Sequence, residues 1–562
     1  MDNVRVFLWG GLALLLWMNF QTWQQNYPPL APSAPAAQAG IDRVPELPTA
    51  APTRPAAGVL PGAAELPVLP DAPTDRGSAS APSSAAVGRD LITVTTDVLQ
   101  LRIDLLGGDI HIAKLLEYPV HKDQPDVPVQ LLSTDAADYF VFRTGLRTTE
   151  GRPEANHQSR FTSERASYVL GDGDDALMVR LKWQGEGDIH AEKIYRFTRG
   201  SYAIGFEQRV SNDSAQPYPV VSYLQIQRLF SPPERSMFDV DSYSFVGPVI
   251  SDGEKYEKLD ADDLAEEPVT QQIIGGWIAS IQHHFLVAAV PQAEEVATYH
   301  ASFDGKFTLV SIIDGEFTNI APGDTGAFAA TLFVGPKLQS QLHEIADNLP
   351  LTVDYGRLGI LARPLFWLLQ KVYDVVGNWG WTIIFVTFLI KLVFYKLTQK
   401  SGRSMAKMRK LAPRLKSVQE RYKDDREQLS RAMMDLYKRE KVNPAAGCWP
   451  MLIQIPFFIA FYWVLLESVE MRQAPFMLWI TDLSSRDPVF VLPLLMGGAM
   501  YFQQKLNPPP PDPMQAKVMQ FLPIMFTGMF AFFPAGLVLY WLTNSVLSMA
   551  QQWRINKVIG AD

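Results

Sequence analysis

The segment TFLIKLVFY, residues 387–395, places Lys391 inside a run that otherwise has the composition of a membrane-spanning helix. A cation at the centre of such a helix costs roughly 2.5 to 3.5 kcal/mol on insertion scales. Two readings account for it. The lysine snorkels to cytoplasmic headgroups past Leu397, about 9 Å of helix rise away, or it serves a polar interior. On a helix Thr387 stands four residues before Lys391, Tyr395 four after and Thr398 seven after, so one face is polar. Other apolar segments supply Gln454, then Gln520 and Thr527, then Tyr540, Asn544, Ser548 and Gln551 at helical spacing. Singly each reads as a helix-to-helix hydrogen bond; together they describe a hydrated half-channel in which Lys391 attracts acidic groups. That chemistry is electrostatic and non-covalent. Covalent chemistry finds little support: His283-His284 in SIQHHFLVAAV are adjacent on an expected strand, so they point to opposite faces, and no companion ligands follow at metal spacing. Gly107-Gly108 has no phosphate-loop pattern and reads as a strand bend. Cys448, the single cysteine, reads as a packed thiol and excludes an intrachain disulfide. No catalytic residue, metal or cofactor is expected, and the chain does not read as an enzyme.

The elements that position these residues differ along the chain. The 47% hydrophobic content averages over unlike regions, and the net charge of −9 argues against global nucleic-acid binding while positive charge gathers locally. Residues 1–26 read as an N-terminal transmembrane anchor in preference to a signal peptide, because the nearest small-residue site lies well past the apolar core. Residues 27–89, dominated by Pro, Ala, Ser and Gly, form a disordered linker. From 90 to 350 short period-two runs between Gly, Asp, Asn and Pro turns predict a large antiparallel β-sandwich. Over 356–377, Leu361, Leu365, Leu368, Leu369, Val372 and Val376 share one helical face, which suits a helix in the membrane interface, with packing on the β-domain as the alternative. Transmembrane helices are then expected over 378–399, 445–467, 488–504, 517–533 and 535–554, the last two joined by a tight hairpin at Pro534 and Gly536. A periplasmic loop, 468–487, and a cytoplasmic one, 505–516, separate the inner members. With the anchor, the fold class is a polytopic α-helical membrane protein of six transmembrane helices, five of them forming a core, with a large extracytoplasmic β-sandwich.

Residues 400–444 carry many more cations than acids, among them Arg403, Lys407, Arg409, Lys410, Arg414 and Lys416. The positive-inside rule puts them in the cytoplasm, and parity then places both termini inside and the β-domain outside. Met405, Met408, Leu411, Leu415, Val418 and Tyr422, then Leu429, Met433 and Leu436, recur at three- and four-residue intervals. They predict a two-helix basic hairpin with Asp424 and Asp425 at its turn, Pro413 kinking its first arm and Asn443-Pro444 stopping the second. Such a hairpin can dock on lipid, ribosomal RNA or acidic protein surfaces. A loop that merely fixes topology is the simpler reading.

The chain resembles the YidC/Oxa/Alb insertase family, in its double-membrane bacterial form with a large periplasmic domain. The resemblance runs essentially end to end. It rests on VGNWGWTIIFVTFLIKLVFYKLT, SMAKMRKLAPRLKSVQERY, LYKREKVNPAAGCWPMLIQIPFFIAFYWVL, EMRQAPFMLWITDLS and DPMQAKVMQFLPIMFTGMFAFFPAGLVLYWLTN, with TDVLQLRIDLLGGDI and TLFVGPK in the β-domain. It implies an insertase and chaperone for nascent inner-membrane proteins, acting alone or with the Sec translocon and its accessory subunits. Five helices would form a groove open to cytoplasm and lipid. The family's groove cation falls on Lys391, its polar partners on Thr387 and Gln454, and an aromatic position on Trp541 beside Tyr540; Thr527 and Asn544 complete the expected substrate groove. Ribosomes or signal-recognition targeting factors would meet the basic hairpin, membrane lipids would border the groove, and the β-domain would resemble sugar-binding supersandwiches without their catalysis. Three departures stand out. Lysine replaces the family's usual arginine, so a bidentate clamp becomes a point charge. Lys396 stands where relatives often have proline. The segment WRINKVIGAD carries only Arg554 and Lys557, so docking through a long basic tail is not expected.

Two rival functions are a polytopic secondary transporter with a periplasmic accessory domain and an anchored carbohydrate-active enzyme. The first lacks an embedded carboxylate pair and repeat symmetry. The second leaves the polar stripes of the membrane half without a role.

Overall fold

The computed structural model describes residues 91–149, 151–231, 244–292, 296–422, 425–440, 449–506 and 513–559. The expected anchor and linker, Cys448, Asp424, Asn443-Pro444, the side chains of Met405 and Arg409 and residues 507–512 of the 505–516 loop lie outside the described residues.

Between Leu91 and Pro336 the chain forms two packed sheets, one of eleven strands and one of nine. Strand Ala203–Asn212 illustrates why: Ile204, Phe206, Gln208, Val210 and Asn212 turn inward while their neighbours face out, the period-two signature of a sheet with one buried face. Elsewhere both faces are covered. All five residues of Trp277–Ile281 are buried, because the chain after the last strand returns over them. Trp277 Nε1 donates to Asn348 Oδ1 at 2.6 Å, Asn348 Nδ2 donates to Ser251 Oγ at 2.7 Å, and Leu342 and Leu349 join the same apolar core. The pairing departs from the antiparallel expectation at one edge, where Leu91–Thr95 runs parallel to Ser167–Val169.

The helices are α1 (Ala261–Glu266) and α2 (Gln339–Ile345) in the β-domain, then α3 (Gly359–Val376), α4 (Trp379–Val393), α5 (Tyr395–Arg421), α6 (Arg426–Arg439), α7 (Trp449–Glu467), α8 (Val491–Lys505), α9 (Pro513–Phe530) and α10 (Ala535–Ile559). The face of α3 carrying Leu365 and Leu369 is buried in the same apolar core as Trp379, Phe461, Met496 and Leu537. The helix packs on the bundle, and its Ile360, Trp367 and Val375 are left exposed. Helices α5 and α6 close on each other through Leu411, Leu415, Leu429 and Met433, and the Asp425 carboxylate caps α6 by accepting from Glu427 N and Gln428 N. Helix α5 continues through Pro413 as one element.

A polar seam joins the two halves. Arg472 Nη2 and Gln473 Nε2 donate to Pro119 O at 3.0 and 3.1 Å, and Lys122 Nζ donates to Gln473 O at 2.9 Å and also to Thr481 O. Gln339 N donates to Glu470 Oε1 at 3.3 Å, while Gln339 Nε2 donates to Tyr355 OH, which meets Ser468 Oγ at 3.1 Å. His283 and His284 belong to this seam. They stand in the turn closed by Gln282 N donating to Phe285 O, so their rings stack at 3.8 Å, contrary to the opposite faces expected on a strand, and His283 Nε2 lies 3.9 Å from Glu467 Oε2.

Burial pushes the Glu470 carboxyl up to about 7, and burial, opposed by Glu467, brings the Lys337 ammonium down to about 8. A raised acid binds a proton in the folded state that the unfolded state has lost, so Glu470 loses stability as pH rises from about 4.5 to 7. A lowered base does the reverse, so Lys337 gains stability as pH rises through about 8 toward the ordinary lysine value. The seam is therefore weakest near neutrality. Glu470→Gln is expected to stabilise it by about 2 kcal/mol at pH 8 and by almost nothing at pH 5. Hydrogen exchange at Gln339–Ile345 and Val469–Met471 in the full chain at both pH values measures this, and equal gains at both would contradict it.

Candidate functional site

Among the described residues no single helix is long and apolar enough to cross a membrane. The expected straight span 378–399 is two helices. Helix α4 and the start of α5, through Ser404, have the length and composition of a span only together, as a pair bent by 65°. The break falls at Phe394, whose carbonyl accepts from both the amide and the hydroxyl of Thr398, so Phe394 begins the next helix as well as ending the last. Its ring packs edge-on to Phe457 at 5.3 Å, and Gln551 Nε2 donates to Tyr395 O at 3.3 Å, which holds the corner from neighbouring helices. The outside of the bundle is apolar: Val393, Leu494, Phe521 and Ile524 are all more than half exposed, Val393 at 78%. Large apolar side chains exposed in this number belong against lipid or a partner.

Within this apolar shell lies a concave pocket, open on one side, with room for a few waters. Its walls come from α4 (Thr387, Ile390, Lys391), the corner (Phe394), α5 (Leu397, Thr398), α7 (Ile453, Gln454, Phe457) and α10 (Tyr540, Asn544). Lys391 is half-buried. Its ammonium donates to Ser548 Oγ on α10 at 2.8 Å, and Ser548 in turn donates to Asn544 O at 2.6 Å. Thr387 is buried and its hydroxyl donates to Ile383 O at 2.6 Å, so it presents mainly its methyl and a lone pair to the pocket. Tyr540 is stacked on Phe461 at 4.3 Å with its hydroxyl in hydrogen-bonding reach of Gln454.

Of the sequence-predicted groove residues, Lys391, Thr387, Gln454, Tyr540 and Asn544 come together. Thr527 and Trp541 do not line the pocket. The Thr527 hydroxyl donates to Pro523 O of its own helix at 2.7 Å and abuts Gly497 on α8, a contact that only a glycine there allows. Trp541 is absorbed into an aromatic cluster with Phe458, Phe526 and Phe530. Ser548 was the lysine's partner that spacing alone did not single out, since it is one of four polar positions on its helix. Of the hairpin cations, Arg414 is paired with Glu440 at 2.6 Å, Lys407, Lys410 and Lys416 are exposed, and Arg403 lines a second pocket near the end of α10.

An apolar-faced helical bundle with a pocket around a half-buried cation, carrying a two-sheet domain, has the make-up of a membrane protein with a partly polar internal pocket. Comparison with known proteins makes the class specific. The family model for the YidC periplasmic domain matches residues 91–368, and that for the 60Kd inner membrane protein matches 371–561. Two relatives named membrane protein insertase YidC, from Nitrosococcus oceani and Thioalkalivibrio sulfidiphilus, are 44% and 45% identical over 100% of this chain and 99% of their own length. A crystal structure of an active YidC insertase with its first transmembrane domain resolved matches 82% of this chain and 92% of its own, at 18% identity and a TM-score of 0.38. The chain belongs to the YidC family of bacterial inner-membrane insertases.

Proposed function

We propose that this chain inserts nascent membrane proteins into the bacterial inner membrane through the pocket centred on Lys391. The observation that carries this reading is the half-buried ammonium set among Thr387, Gln454, Tyr540 and Asn544 inside an otherwise apolar bundle. A short polar client segment crossing hydrocarbon loses its hydration at a cost of several kcal/mol. Polar groups in the pocket wall and room for a few waters part-way across lower that cost, while the client's apolar segment leaves sideways past the exposed Val393 and Leu392 into lipid. The gain is one of solvation, with no bond made or broken. A transporter reading is disfavoured because no acidic residue is among the described residues lining the pocket to couple a cation to transport.

In this proposal six membrane helices cross the bilayer, the anchor included, with α3 at the periplasmic interface, the β-domain in the periplasm and both termini in the cytoplasm. The basic hairpin of α5 and α6 meets targeting factors or ribosomes, and the Sec translocon shares the larger clients. The two-sheet domain is clamped to the bundle by the polar seam and acts as a scaffold. Depleting the protein and following a small two-span client with short exported tails tests the function. The expected result is accumulation of the uninserted client; normal insertion of every such client would sink the reading.

A further inference from the structure

The second pocket lies where the first turns of α5 run beside the last turns of α10, and it is lined by Tyr395, Gln399, Arg403, Arg554, Ile555 and Val558. Its geometry is set by close contacts. Gly402 has no side chain to hold Ile555 off, since a Cβ there would stand 2.8 Å from Ile555 Cδ1, and Gln551 Nε2 fastens α10 to Tyr395 O. The chemistry is unusual: two arginines from separate helices line one small notch, and among the described residues lining it none is acidic. Cationic side chains on both walls favour an anion between them. Guanidinium forks bind phosphate oxygens bidentately, and the Tyr395 hydroxyl and Gln399 amide add donors.

The surroundings identify the kind of phosphate. Ile555 and Val558 form an apolar wall on one side, with Val558 70% exposed. Trp553 on the same turns of α10 is 58% exposed, with the Lys557 ammonium over its ring at 5.4 Å. Exposed tryptophan and snorkelling lysine are the residues that settle at headgroup depth. We propose that this notch binds the headgroup phosphate of an anionic phospholipid, Arg403 and Arg554 holding the phosphate and Val558 bordering the acyl chains. The lipid bridges α5 to α10 directly below the corner at Phe394. Because Lys391 on α4 and Ser548 on α10 flank that corner, the bound lipid fixes the width of the groove.

The test is native mass spectrometry of the full chain in detergent, titrated with phosphatidylglycerol and, separately, phosphatidylcholine. The chain is expected to retain phosphatidylglycerol preferentially, and R403Q/R554Q to weaken that retention at least tenfold, the loss of two charge-assisted contacts. A control with the same loss of charge on α6, K438Q/R439Q, is expected to bind as the parent does, and R403K/R554K to fall between. Equal weakening in the control would reduce the effect to general attraction and overturn the site, as would unchanged retention in R403Q/R554Q. Displacement of the lipid by millimolar inorganic phosphate would give the notch to free phosphate and overturn the lipid assignment. If R403Q/R554Q melts early without lipid, R554Q alone carries the test, with a loss of about threefold expected and none overturning the site.

Discussion

Lys391→Ala is expected to lower insertion of clients with acidic exported tails by about 10- to 100-fold while reducing neutral-tailed clients only a few-fold. The range follows from what the ammonium supplies: a charge-assisted hydrogen bond to a carboxylate in a partly dry pocket contributes about 1.5 to 3 kcal/mol. In the resting structure that ammonium is satisfied by a neutral hydroxyl, Ser548 Oγ, at 2.8 Å. A carboxylate is the better acceptor, so an arriving acidic residue replaces the serine at little cost. Lys391→Glu should hurt acidic clients more than the alanine change, because it adds repulsion to the loss, and Lys391→Arg should preserve both classes if charge is the determinant. The lysine points across the pocket to α10, and that direction distinguishes a groove function from snorkelling to headgroups. Equal losses for acidic and neutral clients, measured by protease protection of their tails in proteoliposomes, would remove the electrostatic role.

The parts of this arrangement that sequence could announce were those governed by periodicity. Alternation in Ala203–Asn212 marks a half-buried strand whatever it packs against, and the three- and four-residue spacing of Leu411, Leu415, Leu429 and Met433 marks a hairpin whose halves lie close in the chain. Pro534 and Gly536 likewise announce their own turn, which separates the end of α9 at Phe530 from the start of α10 at Ala535. The corner at Phe394 was hidden because neither Gly nor Pro marks it; Phe457 and Gln551, far away in sequence, hold it. The same remoteness concealed the Lys391 partner, since Ser548 is 157 residues on, and the seam, where Arg472 reaches Pro119 across 353. Thr527 was misplaced for a related reason. Helical spacing says which face a residue occupies, and says nothing about which neighbour that face meets, here Gly497.

Asp109→Ala is expected to destabilise the β-domain by about 3 to 5 kcal/mol, the cost of leaving a buried charge without its partner. Lys193 is 1% exposed, and its ammonium donates to Asp109 Oδ1 at 3.0 Å, Thr144 Oγ1 at 2.6 Å, Thr144 O at 2.9 Å and Gly107 O, with the Phe161 ring at 5.0 Å. Asp109 Oδ1 also accepts from Thr144 N and Thr144 Oγ1 at 3.0 Å. The network ties strand Ile189–Thr198 of the nine-stranded sheet to Asp109–Pro119 and Phe140–Thr148 of the eleven-stranded one, so its loss is felt by both layers. Gly107 and Gly108 let it form, because both hold positive φ, 87° and 67°, in the turn that presents the Gly107 carbonyl to the lysine. Burial holds the Lys193 ammonium below the ordinary lysine range and Asp109 opposes that shift. Without Asp109 only burial remains, so the folded variant gives up its proton at a pH where the unfolded chain still keeps it. Stability of the variant then rises with pH, and the deficit should be smaller at pH 10 than at pH 7. Pairing Asp109→Leu with Lys193→Met removes both charges, and the double change is expected to cost clearly less than the sum of the single ones. Hydrogen exchange along Ile189–Thr198 in the full chain reads Asp109→Ala, both single changes of the pair and the double, and strict additivity with a pH-independent deficit would mean that the pair contributes packing alone.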